Sequence, residues 1–398
     1  MLAQAQQRAA APPLWVLIAA TASGTLALHI VVPALPLMAR SLGVSDGAIQ
    51  QTVTVYAIGL ALGQLVYGPL SDRFGRRPVM IAALALYCLG GLAATFAGTL
   101  HQLIIARLVQ AFGGCGGLVL GRAVLRDISE PREAASRLAL LNLVVAVGPA
   151  LAPVLGGYIA VWFGWRFDLA AMALLGLLTL AATVLMLPET AASRGMVGGV
   201  FARYGRLLRS PRFLGYAAGG ACTTTSLYAY LTASPFIFVD QLHRPVHEVG
   251  LYYIVIFVGV SLGSLLCTLL LRRLTPRVLL RGANAMGVLA AATFFTATAT
   301  GHLGVAVVVG AMLVVSCAAG IASPLAVTAA MSMLPNAIGA AAGLYGFVQM
   351  GFGALCAAIV GLWPGQAALA ASSILLAALV VGQVALTAAT RGRVAAPD

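Results

Sequence analysis

Gly68-Pro69-Leu70-Ser71-Asp72-Arg73-Phe74-Gly75-Arg76-Arg77-Pro78 is a short charged stretch between two long apolar runs, near 48–70 and 78–97. A turn this tight needs glycine, which permits close helix approach and a positive φ, while Pro78 can open the helix that follows. Asp72 is stabilised beside a helix N-terminus or an arginine. A basic loop that only set membrane orientation would need the arginines, but not Gly68, Asp72 and Gly75 at these spacings. The stretch therefore reads as a latch, whose ion pairs hold one conformation until a rearrangement breaks them.

The flanking runs are typical of the whole chain. Of its 398 residues 61% are hydrophobic and 8% charged, with a mean hydropathy of +1.00, where a soluble chain is about a quarter charged. Too few polar side chains exist to cover a water-facing surface. At roughly 20 apolar residues per crossing, the runs predict twelve membrane helices, near 14–37, 48–70, 78–97, 102–124, 136–160, 165–187, 212–239, 247–271, 278–298, 304–328, 339–361 and 368–390. The expected architecture is an all-α polytopic membrane protein. It has an N-tail (1–13), two six-helix bundles (14–187 and 212–390), a linker (188–211) and a C-tail (391–398).

Charge orients it. All basic side chains are arginine. All but Arg40, Arg107, Arg166 and Arg244 fall on the tails, the linker or alternate connections, so the positive-inside rule places both tails and the linker in the cytoplasm. Continuation of the first apolar run past Ala20-Thr21-Ala22 argues for an uncleaved helix rather than a signal peptide. The +13 net charge forms no continuous basic stripe of the kind nucleic acid requires. All six cysteines lie inside apolar runs and read as packing residues. His243, His247 and Glu248 flank Pro245 in a connecting segment and read as solvated residues, so no metal is expected. Paired intramembrane acids, HExxH and a nucleotide loop are absent from the sequence, which speaks against a membrane enzyme.

Three stretches, in order, resemble signatures of the major facilitator superfamily. The 68–78 turn resembles its signature after the second span. Arg107-Leu108-Val109-Gln110-Ala111-Phe112-Gly113-Gly114, continuing to Arg122-Ala123-Val124-Leu125-Arg126-Asp127, resembles the span 4 signature of its drug exporters. Gly148-Pro149-Ala150-Leu151-Ala152-Pro153-Val154-Leu155-Gly156-Gly157 resembles the span 5 antiporter motif. Val32-Pro33-Ala34-Leu35-Pro36, Tyr230-Leu231-Thr232-Ala233-Ser234-Pro235-Phe236 and Ala341-Ala342-Gly343-Leu344-Tyr345-Gly346-Phe347-Val348-Gln349 bring the pattern nearest to the Bcr/CflA drug:proton antiporters.

The resemblance implies alternating access in the bacterial cytoplasmic membrane, with small hydrophobic or amphipathic compounds exported against protons. It implies no cofactor, and a chain working as a monomer. The alternative is a transporter for a sugar, nucleoside or amino acid, or an uncoupled relative. For the latch it implies Gly68, Asp72, Arg73, Gly75, Arg76 and Arg77, joined by Arg122, Arg126 and Asp127. Arg107 is the intramembrane cation, since a buried arginine normally faces a cavity or a partner. His29 stands four residues before Pro33, where the branch commonly has an aspartate, and its imidazole can carry a proton. Asp168 is the alternative acid for coupling. Tyr56, Gln64, Gln110, Asn142, Tyr228, Tyr230 and Gln349 are candidates for the substrate cavity. Gly148, Gly156 and Gly157 clear a flank of span 5, and Pro149 and Pro153 can bend it.

Overall fold

A computed structural model describes residues 12–129, 131–191, 200–333, 338–363 and 365–391. In chain order its α-helices are α1 (Leu14–His29), α2 (Leu35–Leu42), α3 (Asp46–Phe74), α4 (Arg76–Thr95), α5 (Leu100–Ile128), α6 (Pro131–Trp162), α7 (Trp165–Met186), α8 (Val200–Leu208), α9 (Pro211–Thr225), α10 (Leu227–Phe236), α11 (Val246–Leu270), α12 (Pro276–Ala299), α13 (Val305–Met331), α14 (Ile338–Val360) and α15 (Ala367–Arg391). Ten segments among the described residues are long and apolar enough to cross a membrane, which makes this a multi-pass membrane protein. Apolar side chains such as Leu89, Phe96, Leu178 and Leu185 point outward, as a lipid-facing surface allows.

The chain divides into two compact units. One runs to Gly198 and takes in His243–Tyr253; the other holds Gly199–Leu242 and the chain from Ile254 onward. In the first, α5 is the central element and packs against α4, α3 and α1. In the second, α9 packs on α13, α14 and α15, and α12 on α13 and α15.

Two of the expected spans are interrupted. The first apolar run breaks after His29 into a 3₁₀ turn, Val32–Ala34, before α2. Pro33 has no N–H and cannot supply the hydrogen bond that the carbonyl of His29 would take in a continuous helix. The run expected at 212–239 is α9 and α10, parted at Ser226, followed by a π turn over Ile237–Gln241 just past Pro235. The latch turn is tighter than expected. α3 carries on through Pro69 to Phe74, and Gly75 alone separates it from α4. Gly75 has φ 98° and ψ 156°, a conformation that is essentially glycine's own.

Candidate functional site

At the Gly75 turn, expected latch residues meet on one side chain. The Arg76 guanidinium bonds Asp72 at 2.6 Å and Asp127 at 3.0 Å, and it donates to Ser71 Oγ at 2.6 Å. Asp127 is brought there from the far end of α5, 51 residues away. Arg122 and Arg126 form no ion pair with this group among the described residues, and Arg122 Nε is buried without a partner. Arg73 lies over its neighbour's ring, Phe74, at 5.0 Å. The expectation for Gly68 needs correcting: a Cβ there would meet open space, so close helix approach is not what it provides in this structure.

Sequence reasoning missed the carboxylate that completes the turn. Glu189 Oε1 accepts from the amide of Arg76 at 2.8 Å and from those of Thr190 and Ala191 at 3.0 Å each. It thereby caps the N-terminus of α4, where unpaired amides and the helix dipole favour an anion. Partial burial alone would raise the Glu189 carboxyl, but backbone hydrogen bonds from Ala191, Arg76, Thr190 and Arg77 outweigh it and hold the group below its usual range. In return, Arg77 Nη2 donates to the carbonyl of Val184, near the end of α7, at 2.9 Å. The ends of α4 and α7 therefore clasp each other. A Cβ on residue 75 would run into the Glu189 carboxylate, which gives the glycine a second reason. The only local signal was an acid after Leu187-Pro188, too common a pattern to single out.

Deeper in the same unit, Arg107 lies seven residues into α5, about 10 Å along its axis. It is 1% exposed. Nη1 donates to Gln110 Oε1 and Nη2 to the carbonyl of Ala27, both at 2.8 Å, and the guanidinium lies 4.0 Å above the Tyr56 ring. Tyr56 hydroxyl is tied to the Gly24 carbonyl at 2.9 Å, and that of Tyr87 to the Ser23 carbonyl at 3.0 Å. The cation is thus held by carbonyl, amide and π-face, with no carboxylate paired to it among the described residues; Arg107 Nε and Gln110 Nε2 stay unbonded. Tyr56 and Gln110, expected to line a substrate cavity, are fully buried as supports of Arg107.

His29, two residues past Ala27, shares a hydrogen bond of 2.8 Å between Nδ1 and the Thr25 carbonyl. That bond assigns the proton to Nδ1 in the neutral ring and leaves Nε2 as the acceptor. Asp168, in the first turn of α7, is completely buried, and neither carboxylate oxygen has a hydrogen-bond partner. Nearby Arg166 is engaged elsewhere, with the Ala97 carbonyl at 3.0 Å and the Trp165 ring at 4.1 Å.

Of the three span 5 glycines, carried by α6, Gly156 alone leaves no room for a Cβ. Gly156 lies directly against the carbonyl of Ile30, and Gly148 has Leu26 and Thr25 beside it. Gly157 faces Val246 and His247 at the start of α11, a segment of the same unit. Pro153 is buried within α6. Side chains of Asn142 and Pro149 lie outside the described residues, as do the tail residues before Pro12 and 192–199 of the linker.

The second unit holds the remaining cavity candidates. Gln349 Nε2 donates to Thr224 Oγ1 at 2.8 Å, and Thr225 Oγ1 to the Gln349 carbonyl at 2.9 Å, joining α14 to α9. Tyr228 hydroxyl reaches Met350 Sδ at 3.8 Å. Tyr230 is buried, and Gln64, in the first unit, is half-buried. A network the sequence did not disclose links Thr223, Asn284 and Gln383 at 2.6–2.8 Å. No cluster of three metal-ligating side chains occurs among the described residues.

The family model described as Major Facilitator Superfamily matches residues 17–358. A bicyclomycin resistance protein homolog of Haemophilus influenzae is 29% identical over 334 residues, 81% of this chain and 82% of that one. Multidrug resistance protein D of Escherichia coli is 37% identical over 153 residues, 38% of this chain and 39% of the relative. Among solved structures, a D-xylose-proton symporter superposes with a TM-score of 0.73 at 14% identity, covering 93% of this chain and 96% of the other. At that identity the likeness concerns the fold.

Proposed function

The chain belongs to the Major Facilitator Superfamily, whose members are transporters, and we propose that it exports small hydrophobic or amphipathic compounds from the cytoplasm in exchange for protons. The observation that carries this reading is Arg107: a cation sealed inside the first unit, bonded to Gln110 and the Ala27 carbonyl and stacked on Tyr56. Such a group is costly in a membrane and is retained where it acts on a charge that moves. Resistance proteins among the relatives support the substrate class.

In this reading the chain spans the inner membrane twelve times in two six-helix bundles, with both termini and the linker in the cytoplasm. It works as a monomer, draws on the proton gradient and needs no cofactor. His29, Arg107 and Asp168 form the coupling set. Tyr228 and Gln349, with Gln64, Asn142 and Tyr230, face the compound in the course of the cycle. The latch around Arg76 opens and closes with alternating access.

Everted vesicles given a panel of hydrophobic antibiotics in the outer medium test the proposal. Uptake should be driven by an inside-acid gradient and collapse with a protonophore; uptake insensitive to the protonophore would overturn proton coupling. The Thr224–Gln349 and Asn284–Gln383 pairs favour a second reading, a transporter for a polar metabolite. Competition by sugars, nucleosides or amino acids, but not by the antibiotics, would select it.

A further inference from the structure

The coupling set contains three ionisable side chains, and the structure treats them differently. Arg107 is bonded on both terminal nitrogens, and His29 is bonded through Nδ1. Asp168 is completely buried with both oxygens empty-handed. α7, which carries it, packs against α4, α1 and α6. On α4 the ionisable groups are Arg76 and Arg77, held at the Gly75 turn, and Tyr87 and Cys88, which lie against Gly176 two turns further along α7. On α1 the one such group is His29. On α6, among the described side chains, they are Arg137, which donates to Ser129, and Tyr158, stacked on His247. On α7 itself Arg166 is turned to Ala97 and Trp165. None of them bonds Asp168.

We propose that Asp168 is the group that takes up the transported proton from the outer face and gives it up again in the inward half of the cycle. This rests on the proton-coupled export proposed above. An ionised carboxylate in this place has no hydrogen-bond donor and no counter-charge among the described residues, so binding a proton removes an uncompensated charge. The position also lets the proton leave. Asp168 stands in the first turn of α7, where the helix dipole softens the cost of the anion, so both forms are accessible over a cycle. Asp168 lies only three residues past Trp165, about 5 Å along the helix, close to the side from which protons enter in the proposed orientation. One O–H bond forms when the proton arrives from outer water, and the same bond breaks when it passes to water on the cytoplasmic side. No other reactant is required.

Two measurements on the full-length chain test this. Dicyclohexylcarbodiimide, which reacts with protonated buried carboxyls, should label Asp168 in proteoliposomes, with labelling that falls as pH rises; Asp168→Asn removes the labelled site. In everted vesicles, antibiotic-dependent proton release should be lost in Asp168→Asn and recovered, with a shifted pH profile, in Asp168→Glu. Absent or pH-insensitive labelling overturns the assignment, and so does proton release in Asp168→Asn equal to that of the unsubstituted chain. If the unsubstituted chain releases no protons with any compound, the export reading fails, while the labelling still decides whether Asp168 exchanges a proton.

Discussion

At the Gly75 turn, charges come in complementary sets: Arg76 meets Asp72 and Asp127, Glu189 caps the start of α4, and Arg77 caps the end of α7. Inside the same unit, Arg107 rests on a carbonyl, an amide and a ring, and Asp168 has nothing. Matched charges near water cost little and fix the geometry of a turn. Unmatched charges in an apolar interior are expensive, and an expensive group that persists is available to bind something that comes and goes. The first region is built to hold, and in our proposal the second is built to exchange.

The contrast breaks most easily at Arg107. Arg107→Ala removes two charge-assisted hydrogen bonds and leaves the Ala27 carbonyl and Gln110 unpaired, so coupled export should fall by about tenfold to a hundredfold or more. Normal transport by that variant would reduce the residue to packing. Next in size is Gly75→Ala, which puts a Cβ in a glycine-only conformation and against Glu189. A loss of about 1–3 kcal/mol in detergent thermal unfolding is expected, and an unchanged melting curve would count against the tight turn. Asp72→Asn should lower transport severalfold, on the order of 1 kcal/mol for a partly exposed pair, with insertion intact because Asp127 still holds Arg76. Unimpaired export would remove the latch.

Glu189 gives the smallest effect and the sharpest sign. Its carboxylate is held below the ordinary value of 4.5 by the backbone amides of Ala191, Arg76, Thr190 and Arg77, against the opposing effect of partial burial. The stability it contributes is therefore complete above the unfolded value and is lost as pH falls through the lowered folded one. Glu189→Gln should cost about 1 kcal/mol at neutral pH, as a lost helix cap does. It should also flatten the decline in melting temperature on acidification. An acid profile identical to that of the unsubstituted chain would assign the turn's cohesion to Arg76 alone.

How far the sequence disclosed all this follows from distance along the chain. Apolar runs and the Gly75 signature are local, so the helical membrane fold and the residues of the turn could be read directly. Arg107 stood out because a lone arginine in an apolar run is itself a local anomaly. The clasp could not be read this way, since Glu189 and Arg76 are 113 residues apart and neither is unusual in its own segment. The same holds for Tyr56 and Gln110: their types suggested a polar cavity lining, but only the packing shows both spent on Arg107. Helix continuity was misjudged at Pro33. Pro69 stays within α3, near its end, whereas Pro33 coincides with the break in the first span.

The most direct test of the proposed function is substrate-driven proton movement itself. In everted vesicles holding an inside-acid gradient, hydrophobic antibiotics added one at a time should release protons from vesicles carrying the unsubstituted chain. Release should be lost with Arg107→Ala and reduced with His29→Asn. Equal release from all three would contradict a coupling role for the buried set, and no release with any compound would contradict antiport.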